Sequence, residues 1–155
     1  YKRSGRPGDM EHSSTVRHID LKNANLFPFG FGLSYTTYKY DAPKCAPTFD
    51  SKGNLKVKVR VTNTGDVDGE EIVQLYVADK VASMVRPVKE LKAFKKVFIA
   101  KKQSVEVELD VNAKDLGFYT NDMKYVVEPG EFTIMTGPNS EDLQTCSVRL
   151  NKAIE

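Results

Sequence analysis

Residues 104–111 alternate without a break: Val105, Val107, Leu109 and Val111 are apolar, while Glu106, Glu108 and Asp110 between them are acidic. Strand side chains point to opposite faces in turn, so this segment fits a strand with one face on a core and one in water. A second segment follows the same rule, with Leu55, Val57, Val59 and Val61 against Lys56, Lys58, Arg60 and Thr62. Sliding either segment by one residue would bury its charges, so the inward set is fixed by the pattern. Shorter runs repeat the theme: residues 71–79 with Val73, Leu75 and Val77 on one face, then 91–99, 124–127, 131–136 and 144–150 with Cys146, Val148 and Leu150 together. Turn residues separate them, notably NTGDVDG at 63–69 and Glu128-Pro129-Gly130, and Arg86-Pro87 interrupts the series because proline cannot donate to a ladder. With a further strand expected near residues 35–40, seven or eight short strands predict an all-β fold, an immunoglobulin-like or fibronectin type III-like antiparallel β-sandwich.

The first 33 residues break this pattern. They are polar, carry Gly5, Pro7, Gly8, Pro28, Gly30 and Gly32, and cannot build a core. We expect residues 1–34 to be an irregular arm and 35–155 the sandwich, with the arm up to residue 24 mobile unless a neighbouring domain orders it. Tyr1 to Arg6 has neither an initiator Met nor the apolar core of a secretory signal, and reads as the interior of a longer polypeptide.

Composition narrows the function classes. Of 155 residues 40% are hydrophobic and 28% charged, and no apolar run approaches the roughly 20 residues of a membrane span. The 23 basic and 21 acidic residues are interspersed, which gives no footprint for nucleic acid. Cys45 and Cys146 lack the spacing of a zinc site; they read as buried free thiols, a disulfide and an oxidising compartment being the other reading. Asp66-Val67-Asp68-Gly69 lacks the glutamate that a calcium loop needs, so no metal and no cofactor is expected. Asp66, Asp68, Glu70 and Glu71 read as solvated turn residues, and Lys92, Lys95, Lys96, Lys101 and Lys102 as a solvated strand edge. Phe118 and Tyr119 fit a plug at the end of the sandwich, or else a platform for sugar rings.

The most specific string is LFPFGFGLSYTTY at residues 26–38, where aromatics, a proline and glycines are packed into a stretch too irregular for helix or strand. It closely resembles the linker into the last domain of family 3 glycoside hydrolases of the β-glucosidase and β-xylosidase kind, although Asn25 stands where that linker commonly has Pro. The resemblance continues in order through VKVRVTNTG at 57–65, EEIVQLYV at 70–77, RPVKELKAF at 86–94 and VVEPGEFTIMTG at 126–137, and Gly5-Arg6-Pro7 resembles the GRP segment that ends the preceding domain.

The resemblance implies a parent that hydrolyses β-linked glycosides, with its Asp nucleophile and its acid/base in earlier domains. This chain is then expected to hold no catalytic residue, because its carboxylates lie on wet strand faces and turns rather than as a pair about 5–5.5 Å apart across a sugar site. The expected role is to stabilise and position the catalytic domains of the same polypeptide. Leu26, Phe27, Phe29, Phe31 and Leu33 are the candidate interdomain anchors. Arg6, His12 and His18 are candidate polar contacts at the substrate site. The alternative is a carbohydrate-binding module for β-linked oligosaccharide, with Tyr76 and Tyr125 as outward aromatics. Family habit implies a secreted or periplasmic location.

Overall fold

The computed structural model describes residues 26–49, 53–84 and 86–151. Two sheets, antiparallel except for one short parallel pair between β3 and β11, form a sandwich. The strands are β1 (Tyr38–Tyr40), β2 (Lys44–Cys45), β3 (Thr48–Phe49), β4 (Asn54–Asn63), β5 (Gly69–Asp79), β6 (Glu90–Ile99), β7 (Ser104–Asn112), β8 (Phe118–Tyr119), β9 (Tyr125–Val126), β10 (Gly130–Gly137) and β11 (Gln144–Leu150). In the first sheet β4 is central, with β7 along one edge and β1 and β2 in succession along the other. The second runs β3-β11-β10-β5-β6, and β8 and β9 form a small separate ribbon.

The alternation sets the core as expected. Leu55, Val57, Val59 and Val61 of β4 face Val107, Leu109 and Val111 of β7, and all are buried. From the other sheet Val73, Leu75, Val77, Ile99, Phe132, Ile134, Val148 and Leu150 close over them. On the wet face the opposed charges form a ladder, with Lys56 2.8 Å from Glu108 and Lys58 3.5 Å from Glu108 and 3.7 Å from Glu106. Such exposed pairs fix register more than they stabilise.

Several expectations are corrected. The strand near residues 35–40 shortens to Tyr38–Tyr40, and residues 124–127 contribute only Tyr125–Val126. Glu128-Pro129-Gly130 does not close a hairpin, because β9 pairs with β8 while β10 pairs with β5 and β11. Two-residue strands β2 and β3 have no periodicity to read. A 3₁₀ turn over Ala113–Leu116, capped by Asn112 accepting from the Lys114 amide at 2.9 Å, drives Ala113 and Leu116 into the core. The Asn63–Gly69 connection is held by Asn63, fully buried: it donates to the carbonyls of Val67 (2.8 Å) and Ile99 (3.0 Å) and accepts from Thr36 Oγ1 (2.6 Å) and the Gly65 amide (3.0 Å). Among the described residues no helix is long and apolar enough to cross a membrane.

Candidate functional site

The arm meets the sandwich through one turn. The Phe31 amide donates to the Pro28 carbonyl at 3.0 Å, and Gly30 at the third position has φ +80°, the value a type II turn demands and L side chains resist. This turn presents two carbonyls to β5 and the loop after β10. The Phe29 carbonyl accepts from the Ser140 amide at 2.8 Å and from the Tyr76 hydroxyl at 3.4 Å, and the Gly30 carbonyl accepts from Gln74 Nε2 at 3.0 Å. Gln74 Nε2 also donates to the Pro138 carbonyl at 2.6 Å, while Gln74 Oε1 accepts from the Tyr76 hydroxyl at 2.5 Å. A Cβ at position 30 would lie 2.0 Å from Gln74 Oε1, so both conformation and space require glycine there.

Gln74 and Tyr76 point away from the core, since their neighbours Val73, Leu75 and Val77 point into it, yet both are buried. The arm is what buries them, with the Phe29 ring edge-on to Tyr76 at 6.5 Å. Tyr76 is therefore no exposed platform for sugar, which corrects its reading as an outward aromatic.

Beside the docked turn the same face of the second sheet is open and carries exposed apolar side chains together with the Lys96–Glu70 ion pair. Phe94 lies opposite Gln74 and Phe98 opposite Glu70, so both share the outward face, where they are 68% and 60% exposed; Ile72 between them is half exposed. The five expected anchors are placed unequally. Phe29 touches Tyr76, Phe27 and Phe31 stack on each other at 5.3 Å, and Leu26 and Leu33 stand in solvent. Arg6, His12 and His18 lie outside the described residues.

A second cluster closes one end of the sandwich. Arg86, which the sequence offered as part of a strand break and of the RPVKELKAF motif, is almost buried: it is 3.5 Å from Asp79 and 2.8 Å from Glu90, donates to the Leu116 carbonyl at 2.7 Å, and lies 5.1 Å over the Phe118 ring. Burial pushes the Asp79 carboxyl up from its ordinary value. Burial acts on Glu90 in the same sense, but Lys92 and Arg86 outweigh it and hold Glu90 low. Two carboxylates pushed apart in pKa can be the mark of an acid/base pair. Here the guanidinium bridges them, so the arrangement is a tie between β5, the following loop and β6. Phe118 is half-buried under the Arg86 guanidinium; Tyr119 is exposed and meets Tyr125 edge-on at 5.1 Å, not in a flat platform.

Glu71 overturns its reading as a solvated turn residue. It sits in β5, nearly buried, and accepts from the Tyr40 hydroxyl of the other sheet at 2.7 Å. Asp66 pairs with Lys102 at 2.8 Å, and Asp68 accepts from the Lys101 amide at 2.8 Å. Lys95 and Lys96 of β6 are exposed at the edge of their sheet as expected, Lys96 pairing with Glu70, whereas Lys92 is not a solvated residue: its side chain is 14% exposed and lies 2.9 Å from Glu90. Among the described residues no group of three or more His, Cys, Asp or Glu is placed to hold a metal. Cys45 and Cys146, expected as buried thiols, are half-buried and face each other.

Residues 71–140 match the family model described as a fibronectin type III-like domain. The chain is 47% identical over 126 residues to a β-xylosidase of Formosa agariphila, covering 79% of this chain and 17% of that protein. It is 38% identical over 150 residues to a periplasmic β-glucosidase of Salmonella typhimurium, covering 95% and 20%. A crystal structure of a β-glucosidase from Listeria innocua superposes with a TM-score of 0.83 at 31% identity, over 97% of this chain and 21% of that one. The chain spans about a fifth of the length of these relatives, and the matched part is their C-terminal region. The chain thus belongs to the fibronectin type III-like domains that form the C-terminal region of family 3 glycoside hydrolases.

Proposed function

We propose that this chain is the non-catalytic C-terminal domain of an enzyme that hydrolyses β-glycosidic bonds, a β-glucosidase in the first instance, and that it stabilises and positions the catalytic domains of the same polypeptide. The observation that carries this reading is the exposure of Ile72, Phe94 and Phe98 on the sheet face where the arm turn docks on Gln74, which lies opposite Phe94. An apolar face that borders the segment leading back into the rest of the polypeptide suits an interdomain contact. The division into an arm at 1–34 and a sandwich at 35–155 belongs to the same proposal, with the docked turn as the hinge between them. Leu26, Phe27, Phe29, Phe31 and Leu33 become interdomain anchors, and Arg6, His12 and His18 become polar contacts near the substrate. A secreted or periplasmic location accords with the name of the Salmonella relative.

The test is Phe94→Ser with Phe98→Ser in the full-length polypeptide, beside Phe29→Ala. Both should lower its Tm by several degrees, since each buried ring contributes about 2–3 kcal/mol, and leave kcat/KM for aryl β-glucoside nearly unchanged. An unaltered Tm with an altered substrate preference would refute the structural role. The second reading is a carbohydrate-binding module, for which the exposed Tyr119 and Tyr125 are the candidate contacts although their rings meet edge-on. Calorimetric titration with cello- and xylo-oligosaccharides decides it, as absence of heat up to millimolar ligand dismisses binding.

A further inference from the structure

Cys45 and Cys146 stand on different sheets. Cys45 ends β2 opposite Val57, and Cys146 lies in β11 opposite Ile134. Directly opposed residues share a face, and Val57 and Ile134 are fully buried, so both sulfurs point between the sheets. Packed sheets stand about 10 Å apart, whereas a disulfide spans Cα atoms only about 4.4–6.8 Å apart. Most inward pairs across a sandwich are therefore out of reach.

This pair is not, because the chain changes sheets immediately after Cys45. Ala46 and Pro47 lead into β3, which pairs parallel with β11 at Arg149 and Leu150, and the Arg149 amide donates to the Pro47 carbonyl at 2.9 Å. The crossing draws the β2 corner onto β11 and brings the two Sγ atoms to 2.7 Å. Two other uses of the pair fit less well. No third ligand joins them among the described residues. Burial, then the adjoining Cys45 sulfur, pushes the Cys146 thiol up to about 12, the opposite of a reactive nucleophile.

We propose that Cys45 and Cys146 form an inter-sheet disulfide when the polypeptide meets a disulfide oxidant such as oxidised glutathione. The thiolate of one cysteine attacks a sulfur of the oxidant and releases one glutathione thiol, leaving a mixed disulfide. The second cysteine attacks the protein-side sulfur of that mixed disulfide, the Cys45–Cys146 bond forms, and the second glutathione leaves as thiol. Two electrons pass to the oxidant, and the two cysteine protons end on the released thiols. The bridge joins positions 101 residues apart and encloses the strands from β3 to β10, so it restricts the unfolded chain strongly.

The experiment equilibrates the full-length polypeptide with oxidised or reduced glutathione in mildly alkaline buffer, then denatures and alkylates it before peptide mapping without reductant. Expected are a cross-linked Cys45–Cys146 peptide, lighter by two hydrogens than its separate halves, and a sandwich Tm about 5–10 °C above the reduced form. Cys45→Ser and Cys146→Ser should each abolish that rise, and the double variant should add nothing. Alkyl groups on both cysteines after oxidation, separate glutathione adducts, or a Tm indifferent to reductant would each overturn the proposal.

Discussion

Glu71 is a carboxyl group held between two sheets, and burial raises its pKa above the ordinary 4.5 despite the lowering effect of the Tyr40 hydroxyl. The folded state then keeps a proton that the unfolded chain has released, so this group's contribution to stability falls as pH rises above that value. Glu71→Gln should raise Tm at about pH 7 and leave it nearly unchanged at about pH 4, read by thermal melts at both. Tyr40→Phe removes the donor and should cost about 1–3 kcal/mol, most of it at neutral pH where the carboxylate is ionised. Arg86 has a larger effect. Asp79 is 5% exposed beside it, so Arg86→Met strands a buried carboxylate and should cost about 3–5 kcal/mol in chemical denaturation. The sequence held a sign of Glu71: it has the parity of Val73, Leu75 and Val77 and so falls on the inward face. It held none of Arg86, whose partners lie as far as Leu116.

At the scale of elements, β4 and β7 were legible because their two faces differ so sharply that one register alone avoids burying charge. β5 was legible only on its inward face. Its outward residues Gln74 and Tyr76 read as solvent-facing, and a segment 44 residues away from Gln74 covers them. The string at 26–38 announced docking by its composition, but not the surface on which the Phe29-Gly30 turn settles. That turn gives a prediction: Gly30→Ala meets both the φ of +80° and the Gln74 amide, and should cost about 1–3 kcal/mol. Limited proteolysis should then cut the arm ahead of β1 while the sandwich stays intact. Equal protease resistance in the variant would mean that the turn does not hold the arm.

For the molecule as a whole, the proposed interdomain role rests on the exposed Ile72, Phe94 and Phe98, and it makes a prediction that distinguishes the isolated chain from the full-length polypeptide. In the isolated chain Phe94→Ser with Phe98→Ser should leave Tm within about 1–2 °C of the parent sequence, because exposed rings contribute little. In the full-length polypeptide the same change should be destabilising. The contrast between the two melts measures the contact directly, and equal shifts in both would place the rings inside the domain's own stability.

Period-two alternation, turn residues and the ordered motifs determined the fold class, the inward sets of the long strands and the family, because each is a local property of consecutive side chains. Tertiary structure decided what those properties do not encode. It buried Gln74 and Tyr76 under the arm, set Glu71 against Tyr40, closed Arg86 around Asp79 and Glu90, and brought Cys45 to Cys146 at the point where the chain crosses from one sheet to the other. Each of these contacts joins segments that meet only once the strands have paired, so their distances exist in the folded topology and nowhere in the order of residues.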